Sequence, residues 1–327
     1  MENLIFKFIQ QIEEALILGE NTKLKSVDVD KVFITGMGGS GIAGRFVAEI
    51  MKLYGSIPVI ISNTYEVPSW VDKNTLALVS SFSGNTEETV AAINSLLDKK
   101  ANIISISSGG KILKISRENN LDLIQIPSEW SAPRACIGYS IVFQLFALFH
   151  LGFLKLELSR ELSLCTEHLL REREYIYNEA SQIANLLNGK IPLIYSDSFF
   201  EPLAIRFRQQ LNENTKILAF NSVFPEMNHN EIAAWTSSLD EFSTIFLISD
   251  IYNERIDKRI RICKEIMSKY TGVIVDINLK GNTLLQQIFY GIHIIDWISW
   301  FMAKHRNVDA MDISNINFLK SELEKNV

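Results

Sequence analysis

The sequence has few cysteines and no cluster of positive charge. Its three cysteines, Cys136, Cys165 and Cys263, are far apart and show neither the spacing of a disulfide framework nor that of a zinc site. The formal net charge is −6 and there are no runs of Lys or Arg, which argues against a nucleic-acid surface because such surfaces bind mainly by neutralising phosphates. We therefore expect a cytoplasmic protein without a metal site and without a nucleic-acid partner.

Signals for export or membrane insertion are also weak. The N-terminal segment carries Glu13 and Glu14 within an amphipathic helical pattern, unlike a signal peptide with its basic start and uninterrupted apolar centre. Residues 135–154 contain no Asp, Glu, Lys or Arg and are numerous enough to span a membrane. Because Gln144 and His150 interrupt this run, we expect instead a helix buried at a domain centre or a subunit interface.

Apolar runs of strand length alternate with helical patterns twice along the chain. This alternation predicts an α/β protein whose mostly parallel sheets are covered by helices on both faces. A hydrophobic content of 47% is ample for two such domains, which we place at residues 1–153 and 154–303, with a C-terminal tail at 304–327. The strands predicted in the second half are Ile191–Tyr195, Ile217–Phe220, Ser243–Ser249 and Gly272–Asp276.

The stretch from Leu76 to Thr89 predicts a buried strand, a tight turn and the start of a helix. Its apolar run breaks into hydroxyls around one glycine and then becomes acidic. Ser81, Ser83 and Thr86 would lie beside unpaired backbone N–H groups at the positive end of that helix, where a phosphate monoester binds without a metal. The same residue types also cap helices that bind no ligand, so the residues alone leave both interpretations open.

A glycine cluster, Gly36-Met-Gly-Gly-Ser-Gly41, follows the first predicted strand and formally matches the dinucleotide motif G-x-G-x-x-G. That motif expects an acidic residue at the end of the next strand, whereas this strand ends in Ser62-Asn63-Thr64. Three interpretations therefore stay open, namely contact with a sugar phosphate, contact with a dinucleotide, and a tight turn without a ligand.

Three other residues are candidates for acid–base chemistry. Glu213 ends a predicted helix, where the negative end of the helix dipole disfavours a carboxylate and so favours its accepting a proton. His229 lies in a polar loop, and Arg134 precedes the apolar helix at a point where an arginine can stabilise a developing enolate. Each also has an ordinary alternative, because Glu213 and His229 can be surface residues and Arg134 can pair with a carboxylate.

Five motifs together resemble one known family. The chain contains, in this order, Gly-Met-Gly-Gly-Ser-Gly, Ser-Phe-Ser-Gly-Asn-Thr-Glu-Glu, Ala-Pro-Arg, Asn-Glu-Asn-Thr-Lys and Glu-Met-Asn-His-Asn-Glu. Over nearly the whole chain this resembles the bifunctional phosphoglucose/phosphomannose isomerases of the sugar isomerase (SIS) family. The resemblance implies two flavodoxin-like SIS domains, a cytoplasmic homodimer, and interconversion of glucose 6-phosphate or mannose 6-phosphate with fructose 6-phosphate without a cofactor.

The resemblance also implies which residues bind the substrate. Ser81, Ser83 and Thr86 would hold the phosphate, while Gly39 and Ser40 would contact the sugar. An alternative with the same phosphate site is a non-catalytic SIS protein that senses sugar phosphates and regulates another process. Under that alternative, the phosphate-binding residues would still bind phosphate, and the acid–base candidates would have no catalytic role.

The resemblance assigns the catalytic roles to four residues. Glu213 would move the proton between C1 and C2 of the opened sugar, and Arg134 would stabilise the cis-enediolate. His229, expected from the neighbouring subunit, would open the sugar ring with help from Lys320. The stretch 308–312 departs from the family pattern, which has a threonine ahead of the C-terminal lysine that helps one base serve both C2 epimers.

Overall fold

The structure is a computed structural model that describes residues 1–251 and 253–325. The chain divides into two compact units. The N-terminal unit comprises Asn3–Arg171 together with Gly281–Phe289, and the C-terminal unit comprises Met1–Glu2, Glu172–Lys280 and the chain from Tyr290 onward. Both units have the α/β architecture that the alternation of strands and helices predicts.

Five strands form the sheet of the N-terminal unit. They are β1 (Lys31–Thr35), β2 (Val59–Ser62), β3 (Thr75–Ser80), β4 (Asn102–Ser107) and β5 (Asp122–Gln125). All neighbours run parallel in the order β2-β1-β3-β4-β5, which is the flavodoxin-like order. Every residue of β3 is buried, as expected for the central strand of a sheet with helices on both faces.

Helices of the first half cover both faces of this sheet. They are α1 (Glu2–Phe6), α2 (Phe8–Glu20), α3 (Gly38–Tyr54), α4 (Glu87–Asp98), α5 (Gly110–Glu118) and α6 (Ile137–His150). The first twelve residues of α6 are all buried, so the prediction of a buried apolar helix is confirmed. Within residues 1–251 and 253–325, no helix combines the length and apolarity needed to cross a membrane.

The C-terminal unit repeats the same parallel design. Its strands are β6 (Ile191–Asp197), β7 (Phe220–Phe224), β8 (Phe242–Ile248) and β9 (Ile274–Asn278), in the order β7-β6-β8-β9. The remaining helices are α7 (Leu158–Leu186), α8 (Glu201–Gln210), α9 (Glu254–Met267), α10 (Leu284–His305) and α11 (Ser314–Glu324). Both α7 and α10 run from one unit into the other.

The predicted strand Ile217–Phe220 is wrong, because β7 begins only at Phe220. Residues 211–215 continue α8 as a single π-helical turn, and the following residue, Lys216, has a left-handed backbone with φ of 59°. Ile217 closes this turn, since its N–H donates to the Leu211 carbonyl at 3.4 Å. The apolar run after Lys216 therefore begins at the end of a helix. An apolar run alone does not distinguish this arrangement from a strand.

In each sheet, two neighbouring strands lead into crossovers that run in opposite directions. These pairs are β1 with β3 and β6 with β8. In sheets of this kind a crevice opens beyond the carboxyl ends of such a pair, and ligands bind there. The crevice of the N-terminal unit is bordered by the glycine cluster after β1 and by the hydroxyl-rich turn after β3.

Candidate functional site

The turn after β3 brings two hydroxyls together at the start of α4. Ser81 Oγ lies 3.1 Å from Thr86 Oγ1 and accepts a hydrogen bond from the Gly84 N–H at 3.2 Å. Thr86 is the residue before α4, yet no described side chain caps this helix. The first N–H groups of an α-helix have no partner within the helix, so they remain available to an anion at this point. The geometry thus disfavours the interpretation of Thr86 as a simple helix cap.

Ser83 and Gly84 form the tip of the same turn. Ser83 is exposed, and its Oγ accepts a hydrogen bond from the Asn85 N–H at 3.3 Å. Gly84 has a φ of 68°, and a Cβ at this position would lie 1.8 Å from the Gly109 carbonyl oxygen. Only glycine fits both the left-handed backbone and this close approach. The turn is therefore held against the loop that precedes α5.

The glycine cluster meets this turn at Ser40. The Phe82 N–H donates to Ser40 Oγ at 3.3 Å, and Ser40 is buried. A Cβ on Gly39 would lie 3.3 Å from the Cα of Arg134, so the absence of a side chain at residue 39 allows that close approach. Three segments that are far apart in sequence therefore converge at the carboxyl ends of β1 and β3. The helix α3 begins at Gly38, so Gly38, Gly39 and Gly41 lie in its first turn and Gly36 precedes it.

Arg134 is 7% exposed and lies in a short 3-10 helix, Pro133–Ala135, that leads into α6. The helix α2 fixes this segment, because Gln11 Nε2 donates to the Ala135 carbonyl at 2.6 Å. A second contact with α2 follows, in which the Tyr139 hydroxyl donates to the Glu14 carboxylate. These anchors hold the arginine beside the glycine cluster. Sequence reasoning found Arg134 but not Gln11, whose polar side chain on the buried face of an amphipathic helix was the available signal.

The dinucleotide interpretation finds no support at the end of β2. Asn63 occupies the position where the motif expects an acid, and its Nδ2 donates to the Gly36 carbonyl at 2.6 Å. Its Oδ1 accepts a hydrogen bond from Arg45 at 3.1 Å. Both ends of this amide are thus engaged within the protein. Asn63 ties β2 to the glycine cluster, and it offers no carboxylate to a ribose.

The end of β6, which corresponds in the sheet order to the end of β1, holds a carboxylate. The carboxylate of Asp197, at the end of β6, accepts hydrogen bonds from the N–H groups of Phe199 and Phe200 at 3.0 and 3.3 Å. Asp197 is buried, and its Oδ1 occupies these donors as a phosphate oxygen otherwise would. A second anion at this end of β6 would meet like charge.

Glu213 lies in the π-helical turn that ends α8, and it is partly buried. The residues on its C-terminal side are attached to α10, because Asn214 Nδ2 donates to Ser299 Oγ at 2.9 Å and Thr215 Oγ1 donates to the Ser299 carbonyl at 2.8 Å. Both side chains are buried. The prediction that Glu213 lies at a helix end is confirmed, and the two buried hydrogen bonds fix its backbone. The π-helical turn, a form that is frequent at functional sites, has no signature in the sequence.

A buried ion pair links α8, which leads into this turn, to α10. Arg206 on α8 donates to Asp296 on α10 at 2.6 Å, and Gln210 donates to the other oxygen of Asp296 at 2.7 Å. Arg206 is 2% exposed and Asp296 5% exposed. Sequence reasoning missed Asp296. The available signal was a single carboxylate within the apolar pattern of α10, since a buried charge requires a partner.

His229 and Lys320 lie on two further elements of the C-terminal unit. His229 is exposed at the end of a 3-10 helix, Glu226–His229, and Lys320 is exposed on α11. None of residues 314–324, all of which are described, is buried. Glu213, His229 and Lys320 thus lie on three different elements of the C-terminal unit. Among the described residues, no group of three or more His, Cys, Asp and Glu side chains could hold a metal ion.

The two parallel sheets, with a hydroxyl-lined turn after β3, define a protein with two SIS domains. Residues 27–151 match the SIS domain, and residues 176–323 match the bacterial phospho-glucose isomerase C-terminal SIS domain. A bifunctional phosphoglucose/phosphomannose isomerase of Thermoplasma volcanium is 36% identical over 321 residues, which are 96% of this chain and 100% of the relative. The chain therefore belongs to the bifunctional phosphoglucose/phosphomannose isomerase family.

Two other similarities show the range of related proteins. A D-glucosamine-6-phosphate 4-epimerase of Sulfolobus acidocaldarius is 31% identical over 79% of this chain and 84% of the relative. The C-terminal domain of a glucosamine-fructose-6-phosphate aminotransferase from Francisella tularensis superposes with a TM-score of 0.76 at 15% identity, covering 95% of this chain and 96% of that one. The second likeness shows the fold alone.

We predict that Gly84→Ala destabilises the N-terminal unit more than an ordinary glycine substitution does. The new Cβ would be strained by the φ of 68° and would also collide with the Gly109 carbonyl. Gly189→Ala is the matched control, because Gly189 has a φ of 75° and nothing within 4 Å of its Cβ position. The backbone strain alone costs about 1–2 kcal/mol. Urea unfolding measures both variants, and equal losses of stability would contradict the prediction.

We also predict that Asp296→Asn loses about 3–5 kcal/mol of unfolding free energy, because Arg206 then stays buried without its charged partner. The control is Asp276→Asn, which removes a carboxylate of the same unit whose side chain is 43% exposed and pairs with Lys264 at 2.6 Å. An exposed pair of this kind contributes only about 0–1 kcal/mol. Denaturant unfolding of both variants tests this, and a loss at residue 296 no larger than that of the control would refute it.

Proposed function

We propose that this protein interconverts glucose 6-phosphate and mannose 6-phosphate with fructose 6-phosphate by proton transfer between C1 and C2. The observation that carries this proposal is the convergence of Ser40, the Ser81–Thr86 turn and Arg134 beyond β1 and β3, in a chain of this isomerase family. The convergence provides an anion site and a cation for an oxyanion within one unit. Glu213 supplies the base.

The phosphate end of the substrate binds at the start of α4. Ser81, Ser83 and Thr86 donate hydroxyl hydrogen bonds, and the N–H groups of the first turn of α4 add the attraction of the helix dipole. Gly39 and Ser40 then contact the sugar. Binding energy from the phosphate, which does not react, helps to hold C1 and C2 in place for the chemical step.

The chemical step needs a base and a stabilised oxyanion. A proton next to a carbonyl is weakly acidic, so its removal requires a carboxylate within hydrogen-bond reach and a donor or cation at the oxygen where charge develops. Glu213 takes the proton from C2 of the aldose and returns it to C1, while the hydroxyl proton moves from O2 to O1, and Arg134 stabilises the cis-enediolate between these transfers. The rigid backbone at residues 214 and 215 supports this role, because a base must be held at a fixed position to act.

Ring opening precedes this step, because hexose 6-phosphates are mostly cyclic in water. We propose that His229 and Lys320 transfer the protons that open the ring. Both side chains are exposed, and an imidazole can donate or accept a proton, so His229 can serve as acid or base. We further propose a homodimer in which His229 is contributed by the neighbouring subunit.

Two other activities would leave distinct signatures. The epimerase among the relatives favours a test for inversion at C4, which product analysis by NMR distinguishes from C1–C2 isomerisation. A sugar-phosphate sensor would bind hexose 6-phosphates through the turn after β3 without converting them. Incubation of the purified protein with glucose 6-phosphate, mannose 6-phosphate and glucosamine 6-phosphate, followed by NMR, separates all three possibilities.

We predict that Glu213→Gln lowers kcat by about 10²–10⁴-fold, the usual contribution of a general base, and leaves substrate binding nearly unchanged. Glu241→Gln is the matched control, because Glu241 is an exposed glutamate of the same unit, and it should keep wild-type turnover. A coupled assay measures kcat, and calorimetry with fructose 6-phosphate measures binding. Retention of kcat by Glu213→Gln would exclude this residue as the base.

We predict that activity persists after dialysis against EDTA, because a carboxylate base and an arginine supply the acid–base chemistry and the oxyanion stabilisation without a metal. The measurement is the rate of fructose 6-phosphate formation before and after dialysis, and again after adding Mg²⁺, Mn²⁺ or Zn²⁺. An activity that disappears with EDTA and returns with one of these ions would contradict the proposed mechanism.

A further inference from the structure

His229 is exposed on a short segment that has little regular structure. The segment comprises residues 225–235 and contains two four-residue 3-10 helices, Glu226–His229 and Glu231–Ala234. A catalytic side chain must be held to within about 0.5 Å of its productive position. For an exposed histidine on such a segment, the neighbouring residues must supply that rigidity. Their contacts are therefore informative about how His229 is positioned.

On the N-terminal side of His229, packing and one amide fix the segment. Met227 is fully buried in the core of the C-terminal unit. The amide of Asn228 is held against α9, because its Oδ1 accepts a hydrogen bond from Arg259 at 3.1 Å and its Nδ2 lies 3.0 Å from Cys263 Sγ. These contacts fix the chain up to the residue immediately before His229.

On the C-terminal side, the contact nearest to His229 that reaches the sheet is a charge-assisted hydrogen bond. The Tyr195 hydroxyl on β6 donates to the Glu231 carboxylate at 2.6 Å. Asn230 links the two 3-10 helices, since its Oδ1 accepts from the Glu231 N–H at 2.6 Å and its Nδ2 donates to Glu226 at 3.0 Å. Residue 231 is thus attached to the sheet only two positions after His229.

Packing holds the far end of residues 231–235, where Trp235 is 5% exposed and lies in the same core as Tyr195. A cavity of about 280 Å³ lies beside the segment and is lined by Tyr195, Glu231, Trp235 and Leu239, among others. Next to this cavity, the Tyr195–Glu231 hydrogen bond fixes the residue that lies two positions after His229. The Tyr195 ring does not depend on this bond, because it is 1% exposed and stacks on Phe246 at 5.3 Å. Burial and the Glu231 carboxylate both raise the pKa of Tyr195, so its hydroxyl stays protonated and donates.

We propose that Tyr195 and Glu231 are positioning residues for His229, and that their hydrogen bond sets the orientation of the imidazole for ring opening. This inference rests on the proposed function, in which His229 opens the sugar ring. Neither side chain needs to touch the substrate. Tyr195 acts through Glu231, and Glu231 acts through the backbone that joins it to His229.

The test is a double-mutant cycle between Tyr195→Phe and His229→Ala, measured as kcat/KM for glucose 6-phosphate. Tyr195→Phe removes one buried oxygen and keeps the stacked ring, so the variant should fold. We expect a loss of about 10- to 100-fold for Tyr195→Phe alone, the size of effect that a small misplacement of a catalytic group produces. Spontaneous ring opening in water leaves a measurable rate in His229→Ala. In that background, Tyr195→Phe should cause no further loss, because its effect passes through the imidazole.

Tyr290→Phe is the matched control. The Tyr290 hydroxyl also donates from a buried ring to a glutamate, Glu179, at 3.4 Å, but these residues lie on α10 and α7. This variant should keep wild-type kcat/KM, because its hydroxyl lies on elements that do not carry His229. Equal activities of Tyr195→Phe and Tyr290→Phe, or additive losses in the cycle, would overturn the inference while an active wild type leaves the proposed isomerase intact. An inactive wild type would instead refute the proposed function and the inference with it.

Discussion

The opposite direction of the crossovers that follow β1 and β3 is the constraint on which the N-terminal unit depends. Because the crossovers after these strands run in opposite directions, their carboxyl ends are left uncovered by a direct connection, and a crevice forms there. The hydroxyls of Ser81 and Thr86 and the buried Ser40 lie at this crevice, and α2 holds the segment with Arg134 beside it. Gly84 and Gly39 provide the close backbone approaches that this convergence requires. The other strands and helices of the N-terminal unit hold these groups in place.

The C-terminal unit has a sheet of the same design but carries different functional side chains. At the end of β6, the carboxylate of Asp197 occupies two backbone N–H groups, so these donors do not serve a phosphate. Its candidate groups lie instead at the end of α8 and on the segment after β7. The ion pair of Arg206 with Asp296 and the bond from Tyr195 to Glu231 are the buried contacts beneath these two places. A duplicated architecture thus carries two different sets of side chains.

Sequence reasoning predicted the parallel α/β architecture, the buried apolar helix and the position of Glu213 at a helix end, because each follows from periodicity or from a local helix signal. It was wrong about the strand Ile217–Phe220, where a π-helical turn and the left-handed Lys216 extend the helix end into an apolar run. This error concerns an element boundary, which depends on hydrogen bonds that a pattern of apolar residues does not specify.

The sequence by itself determined the class of fold and the kinds of side chain available, since strand and helix periods and the chemistry of hydroxyl, carboxylate and imidazole groups are local properties. Only the tertiary structure decided which of these groups meet. The approach of Gly39 to Arg134, the donation from Tyr195 to Glu231 and the pairing of Asp296 with Arg206 each join residues that are tens of positions or more apart. Such contacts arise from sheet order and helix packing, which bring distant segments together and leave no trace in the neighbouring sequence.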